Sequence, residues 1–393
     1  MITKRQNDLL LSAGLFVSLA VAVFCVVSCG QTGAKEQSDS TQVADATTTI
    51  GTPISESETV APTQESTPTA TPTPKINRVV SPRTDSLAYH AGVSVLVYSD
   101  GGNFAEKAPK LLNRLAELNI NSVSLVFPVF QSNWQSVEVY KDPKKTPTDD
   151  NIRIFIREAH KRNFTVMLRP ILDESSLVAD GKWRGQLSPT DKGQWFNSYS
   201  SLLVGYAKLA QEEKVAVLNV GTEFVSLEPE VALWKALIAV VRTQYDGQIT
   251  YSANWDVKAP GFASDLNFPS IDAYYPLDVP TGASVDSLVA GWQRWIADIT
   301  SKGYDPKTVV FTEIGILPRQ GAYQKPWNYL SESPADYEAQ LRYYQATCQV
   351  FVPLINGLYW WQVDLTLPDP NKPDLGFSPM GKPAEAALAQ CHR

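Results

Sequence analysis

The stretch Val215-Ala216-Val217-Leu218-Asn219-Val220-Gly221-Thr222-Glu223 decides the reading of the fold. It is apolar almost without interruption, rich in β-branched residues, and ends on a carboxylate. Strict alternation would mark a strand with one wet face; a continuous run marks a strand buried on both faces, as in a parallel sheet covered by helices. Helical patterns flank it, Gly193–Glu212 before and Pro229–Arg242 after. Working outward, the same strand texture recurs at about 30-residue intervals, the size of one βα unit. The runs are Gly92–Tyr98, Ser122–Pro128, Thr165–Pro170, Gln248–Ala253, Ser270–Tyr274, Thr308–Thr312 and Asn356–Trp361. Helices are expected over Glu106–Leu118, Asn151–Lys161, Val285–Thr300, Pro334–Val350 and Pro383–Gln390, whereas the fifth crossover, Trp255–Pro269, looks short and irregular. Eight strands alternating with helices predict an α/β chain closed as a (β/α)8 TIM barrel over residues 83–393. A doubly wound open sheet is the alternative, but no GxGxxG follows the first strand.

Upstream of the barrel the composition changes. Lys4 and Arg5 precede an apolar run from Leu9 to Val27, which ends in Val26-Val27-Ser28-Cys29. The charge, the run and the small residues have the build of a secretory signal. A Cys directly after Val-Val-Ser resembles the bacterial lipobox, which implies a lipoprotein signal peptide over 1–28 and lipidation of Cys29. An uncleaved membrane anchor is the alternative. Residues 29–82 are rich in Thr, Pro and Ser, as in Thr67-Pro68-Thr69-Ala70-Thr71-Pro72-Thr73-Pro74. Such a segment has little apolar surface to bury and is expected to be a disordered tether. Both readings place the barrel outside the cytoplasm, lipid-anchored to the cell envelope in the preferred one.

Composition excludes some functions. The net charge is −7 and no basic run appears, so phosphate-backbone binding, and with it a nucleic-acid partner, is not expected. Of four Cys, Cys25 lies in the apolar leader and Cys29 in the lipobox. That leaves Cys348 and Cys391, an even pair in an oxidising compartment. One falls on the seventh helix and the other just after the last, which lie side by side in a closed barrel, so a disulfide is expected; two buried thiols are the alternative. With three His and no CxxC, neither a metal site nor a cofactor is expected.

In a TIM barrel the active site forms at the C-terminal ends of the strands. Two carboxylates there stand out, Glu223 after strand 4 and Glu313 after strand 7. Each follows an apolar run directly, where a charge is costly unless it faces a polar cleft. Glycosidic bond cleavage needs such a pair, one group to protonate the leaving oxygen and one to act as base or nucleophile. A lone glutamate at a strand end would read as a salt-bridged surface residue.

Glutamates after strands 4 and 7, a Tyr after strand 6 and a Trp after strand 8 resemble the clan A glycoside hydrolases. Within that clan, Gly221-Thr222-Glu223, Ile271-Asp272-Ala273-Tyr274-Tyr275-Pro276 and Thr312-Glu313-Ile314-Gly315 are similar to glycoside hydrolase family 113, known for β-1,4-mannanases. The resemblance implies a retaining enzyme with Glu223 as acid/base and Glu313 as nucleophile. It further implies Tyr274 or Tyr275 donating a hydrogen bond to Glu313, and a raised pKa on Glu223. Where many clan members carry Asn before the acid/base, this chain has Thr222. Where an Arg is common after strand 2 it has Phe127-Pro128, and Arg169 after strand 3 is the candidate substitute.

Aromatic residues at strand ends add a binding surface, because the apolar face of a sugar ring stacks on an aromatic plane. Trp134, Trp183, Trp255, Trp327, Trp360 and Trp361 fall at strand ends or in the loops after them, and Asn254 stands beside Trp255. Trp195, Trp234, Trp292 and Trp295 fall on helices and read as core. The expectation is a monomeric β-mannanase-like endo-glycanase acting on a polysaccharide or oligosaccharide. A non-catalytic carbohydrate-binding surface lipoprotein on the same scaffold would keep the tryptophans but have no use for both glutamates.

Overall fold

The structure, a computed structural model, describes residues 89–98, 102–369, 372 and 374–392. The signal peptide, Cys29 and the linker lie outside the described residues. Eight parallel strands close into a barrel in sequence order: β1 His90–Leu96, β2 Ser122–Val129, β3 Thr165–Leu172, β4 Val217–Thr222, β5 Gln248–Asn254, β6 Ser270–Asp272, β7 Val310–Ile314 and β8 Gly357–Asp364. β1 pairs with both β2 and β8, which closes the ring. The helices are α1 Phe104–Glu117, α2 Asp149–His160, α3 Lys192–Glu212, α4 Val231–Arg242, α5 Val285–Ser301, α6 Tyr337–Phe351 and α7 Pro383–Cys391. Between β5 and β6 only a short 3-10 turn forms, Ala263–Asp265, as the irregular fifth crossover implied.

Local chemistry sets the helix ends. Thr148, Asp191, Ser284 and Asp336 accept hydrogen bonds from backbone N–H groups at the starts of α2, α3, α5 and α6. After α1 and α2 the chain reverses at Asn119 and Asn163, both with φ near +60°, a conformation Asn tolerates better than most residues. The main core lies between barrel and helices. A second cluster fills the barrel interior near its base (Met167, Val217, Phe268, Val310, Tyr359), and a third lines the mouth. Cys348 on α6 and Cys391 at the end of α7 form a disulfide, with Cα atoms 5.3 Å apart.

Two features differ from the sequence expectation and shape the site. β3 continues through Leu172, beyond the expected end at Pro170, because β2 stays in register with it up to Val129↔Leu172. Arg169 therefore sits inside the barrel and not on its rim. Along β8 successive side chains alternate sides, as a pleated strand requires. Tyr359 and Trp361 face inward, while the Trp360 ring stacks on Tyr344 of α6 with centroids 3.7 Å apart.

Candidate active site

The top of β4 delivers Glu223. Pairing with β5 slips between Asn219 and Thr222, the mark of a bulge. The Asn219 side chain fills the gap in the ladder, its Oδ1 accepting from Gly221 N (3.0 Å) and its Nδ2 donating to Ser252 Oγ (2.5 Å). Gly221 has to lack a side chain, because a Cβ there would lie 2.8 Å from the Tyr251 ring and 3.0 Å from Trp234. Glu223 follows with φ +54°, a left-handed backbone uncommon outside glycine, and its N–H donates to Ser252 O (2.8 Å). Bulges of this kind re-aim a side chain beside an active site. β6 and β7 slip as well, next to Asp272 and Glu313.

Glu313 lies within β7, buried, and is held from two sides. Tyr274 OH donates to its Oε2 (2.7 Å), and Arg169 Nη2 lies 2.8 Å from its Oε1. The same Nη2 is 2.8 Å from Asp272 Oδ2. Arg169 Nη1 donates to Thr312 O (3.1 Å), and Arg169 Nε donates to Thr222 Oγ1 (3.3 Å). Thr312 Oγ1 in turn donates to Asp272 Oδ1 (2.8 Å). A second buried guanidinium, Arg184, comes from the loop after β3; its Nε is 2.8 Å from Glu174 Oε1 but 3.8 Å from Glu223 Oε2. Tyr98 OH donates to Asp173 Oδ2 at 2.6 Å.

Four buried carboxyls thus share two guanidinium groups. Glu174, Asp272 and Glu313 each touch one at 2.8 Å, whereas Glu223 stands 3.8 Å from its nearest. Burial raises Glu223 well above the usual glutamate range, helped by the charge of Asp272 and opposed by Arg184. Burial and Asp272 also raise Glu313, to about 8, against the pull of Arg169 and the Tyr274 hydrogen bond. Such carboxyls titrate as a set, and Glu223, the farthest from a cation, has the least relief for its charged form. The site therefore pairs two glutamates in unequal surroundings, Glu313 against a guanidinium and a phenol and Glu223 without a close cation.

The mouth is aromatic. Tyr274, Trp361, Phe377 and Leu317 form its buried lining, with Tyr98, Trp255, Trp327 and Tyr329 half-buried around them. Trp255 and Trp327 stack with centroids 5.7 Å apart. Asn254, buried at the end of β5, accepts from Trp255 N through Oδ1 (2.8 Å). Trp134 is half-buried beneath Lys182 Nζ, 5.1 Å from its ring centre, and the Trp183 ring lies over Gly185. Trp360 and Tyr275, both expected to bind sugar, are not brought to the mouth. Trp360 packs on Tyr344, and Tyr275 packs on Trp295 and Trp292 of α5 in the outer core, because each is one residue out of phase with the inward-facing Trp361 and Tyr274. Asp272, Arg184, Glu174 and the Tyr98–Asp173 pair join the site without having been singled out. The acids Asp173-Glu174 directly after β3 carried the same signal as Glu223, a charge ending an apolar run. Among the described residues no group of three His, Cys, Asp or Glu side chains is placed to hold a metal ion.

A parallel eight-stranded barrel whose strand tops present two buried glutamates in an aromatic mouth defines a barrel glycoside hydrolase. The chain belongs to glycoside hydrolase family 113, whose model matches residues 95–382. A solved structure of the GH113 β-mannanase AaManA from Alicyclobacillus acidocaldarius, in complex with ManMIm, is 25% identical, with a TM-score of 0.67. That match covers 78% of this chain and 97% of the other. Two further structures, of GH113 β-1,4-mannanase, are 23% identical with TM-scores of 0.69 and 0.68, covering 78% of this chain and 99% of theirs; they share its fold. No curated protein sequence matches the chain.

Proposed function

We propose that this glycoside hydrolase cleaves β-1,4-mannan with retention of anomeric configuration. Glu313 attacks the anomeric carbon while Glu223 protonates the departing glycosidic oxygen, leaving a covalent glycosyl-enzyme. Glu223, now ionised, takes a proton from water, whose oxygen displaces Glu313 and regenerates both groups. Arg169 and Tyr274 favour the ionised form of Glu313 and orient it, and the half-buried Trp255 and Trp327 offer faces to sugar rings. One observation carries the assignment of roles: Glu313 has a guanidinium at 2.8 Å, and Glu223 has none nearer than 3.8 Å. The likeness to AaManA supports mannan as the substrate. The purified protein is tested on β-1,4-mannan, xylan, mixed-linkage β-glucan and peptidoglycan, with nascent reducing ends followed by proton NMR. Mannan should be cleaved fastest and give the β-anomer first; preference for another polymer, or the α-anomer first, refutes the proposal.

Residues 1–28 act, in this reading, as a lipoprotein signal peptide. Cys29 carries the lipid, and residues 29–82 tether a monomeric barrel to the outside of the cell envelope. The lipobox-like Val26-Val27-Ser28-Cys29 and the Thr/Pro-rich segment after it support this. Intact mass should show acylated Cys29 at the mature N-terminus, and Cys29→Ser should leave unprocessed precursor. A mature chain starting elsewhere contradicts it.

A further inference from the structure

The strained backbone at Glu223 is held by a ring of contacts from outside the barrel. Phe224 N donates to Tyr251 OH (2.8 Å), and Tyr251 OH donates to Glu228 Oε1 (2.9 Å). Glu228 N returns to Phe224 O (3.0 Å), so one turn of chain closes on a single phenol. Nothing about that phenol's position is loose. Its ring is buried on β5 between Trp234 and Phe262, with centroids 5.2 Å from each, and lies over the face that Gly221 leaves bare. The Phe224 ring is wedged against Trp195 at 5.3 Å. A non-glycine residue at φ +54° is strained and persists only where its surroundings over-determine it. We propose that Tyr251, oriented by Glu228, is a positioning residue for proton donation: it pins the Glu223–Phe224 peptide and so keeps the Glu223 carboxyl on the leaving-group oxygen. The inference rests on Glu223 being the acid/base. Tyr251 touches no reacting atom. Its hydroxyl accepts from Phe224 N while Val225 N holds the carbonyl of the same peptide (2.8 Å), and donation to Glu228 Oε1 strengthens the acceptor by polarising the phenol.

The test separates positioning from stability through the leaving group. Tyr251→Phe keeps the ring and removes the acceptor. With a manno-oligosaccharide, whose alkoxide leaving group needs a proton, kcat should fall about ten- to a hundredfold, the range a misplaced catalytic group produces, at unchanged KM. With 2,4-dinitrophenyl β-mannobioside, whose leaving group needs none, the pre-steady-state burst should keep its wild-type rate. Glu228→Ala should show the same signature more weakly. Glu228→Gln, whose amide oxygen still accepts from Tyr251, should restore most of the oligosaccharide rate. Glu223→Ala is run in parallel. If that variant shows no leaving-group dependence, the acid/base reading falls and this inference with it. If it does, but Tyr251→Phe slows both substrates alike or neither, the inference alone is overturned. Should Tyr251→Phe fail to fold, Glu228→Ala decides by the same two substrates, since its side chain is only half-buried.

Discussion

Glu223→Gln should leave the protein increasingly more stable than wild type as the pH rises. Burial raises the folded-state pKa of Glu223 well above its ordinary 4.5, so wild type must hold a proton at pH values where the unfolded chain has released it. The sign follows from linkage. Stabilisation by the neutral side chain is complete below pH 4.5 and is lost as pH climbs toward the raised folded value. Each pH unit for which the folded chain holds a proton that the unfolded chain has released costs the wild type about 1.4 kcal/mol. Glutamine does not titrate and is close to the protonated acid in shape. Glu313 and Asp272, also raised by burial, titrate as a set with Glu223, so the difference reads how the set's proton uptake changes when Glu223 is removed from it. Urea unfolding of both proteins at half-unit steps from pH 4 to 8 gives that difference directly. A constant offset between the curves, whatever its size, would show that Glu223 titrates normally in the folded state and would refute the argument that it holds the site's proton.

Arg169→Met should cost about 3–5 kcal/mol of stability, because it leaves Asp272 and Glu313 facing each other without their shared cation; chemical denaturation reads it. Tyr274→Phe removes a hydrogen bond that lowers the Glu313 pKa, so the acid limb of the kcat/KM profile should move to higher pH, the ionised form then being reached later. Replacing Cys348 and Cys391 together by Ser should lower stability by about 4 kcal/mol in the chain-entropy model for a separation of 43 residues, seen as a lower Tm at unchanged kcat on mannan.

Much of this was legible in the sequence, for physical reasons. Strands covered by helices on one face and packed inside the barrel on the other must be apolar throughout, so Val215–Gly221 and its counterparts stood out, and the short Trp255–Pro269 connection showed where a helix would be missing. Glu223 and Glu313 were visible because an acid ending an apolar run has no cheap structural explanation. The phase of the aromatic pairs was not. Which of Tyr274 and Tyr275, or of Trp360 and Trp361, faces inward depends on a period of two counted from a known register, and the strand tops carry the register slips. Nor could the cations be placed. Arg169 was read as a rim residue because Pro170 looked like a strand end, yet β3 runs on beside β2 to Leu172. Arg184 reaches the site only through the path of the β3–α3 loop, which no periodicity encodes.

The most direct test of the central claim is azide rescue of the two glutamate variants on an activated aryl β-mannoside. With Glu223→Ala the first step should stay fast and glycosyl-enzyme should accumulate. Azide should then speed turnover and yield the β-mannosyl azide, because a small anion attacks the intermediate without a general base. With Glu313→Ala azide should occupy the space of the lost carboxylate and attack from that side, giving the α-mannosyl azide. The reverse assignment of products, or wild-type turnover by both variants on every β-glycan, would contradict the roles given to Glu223 and Glu313.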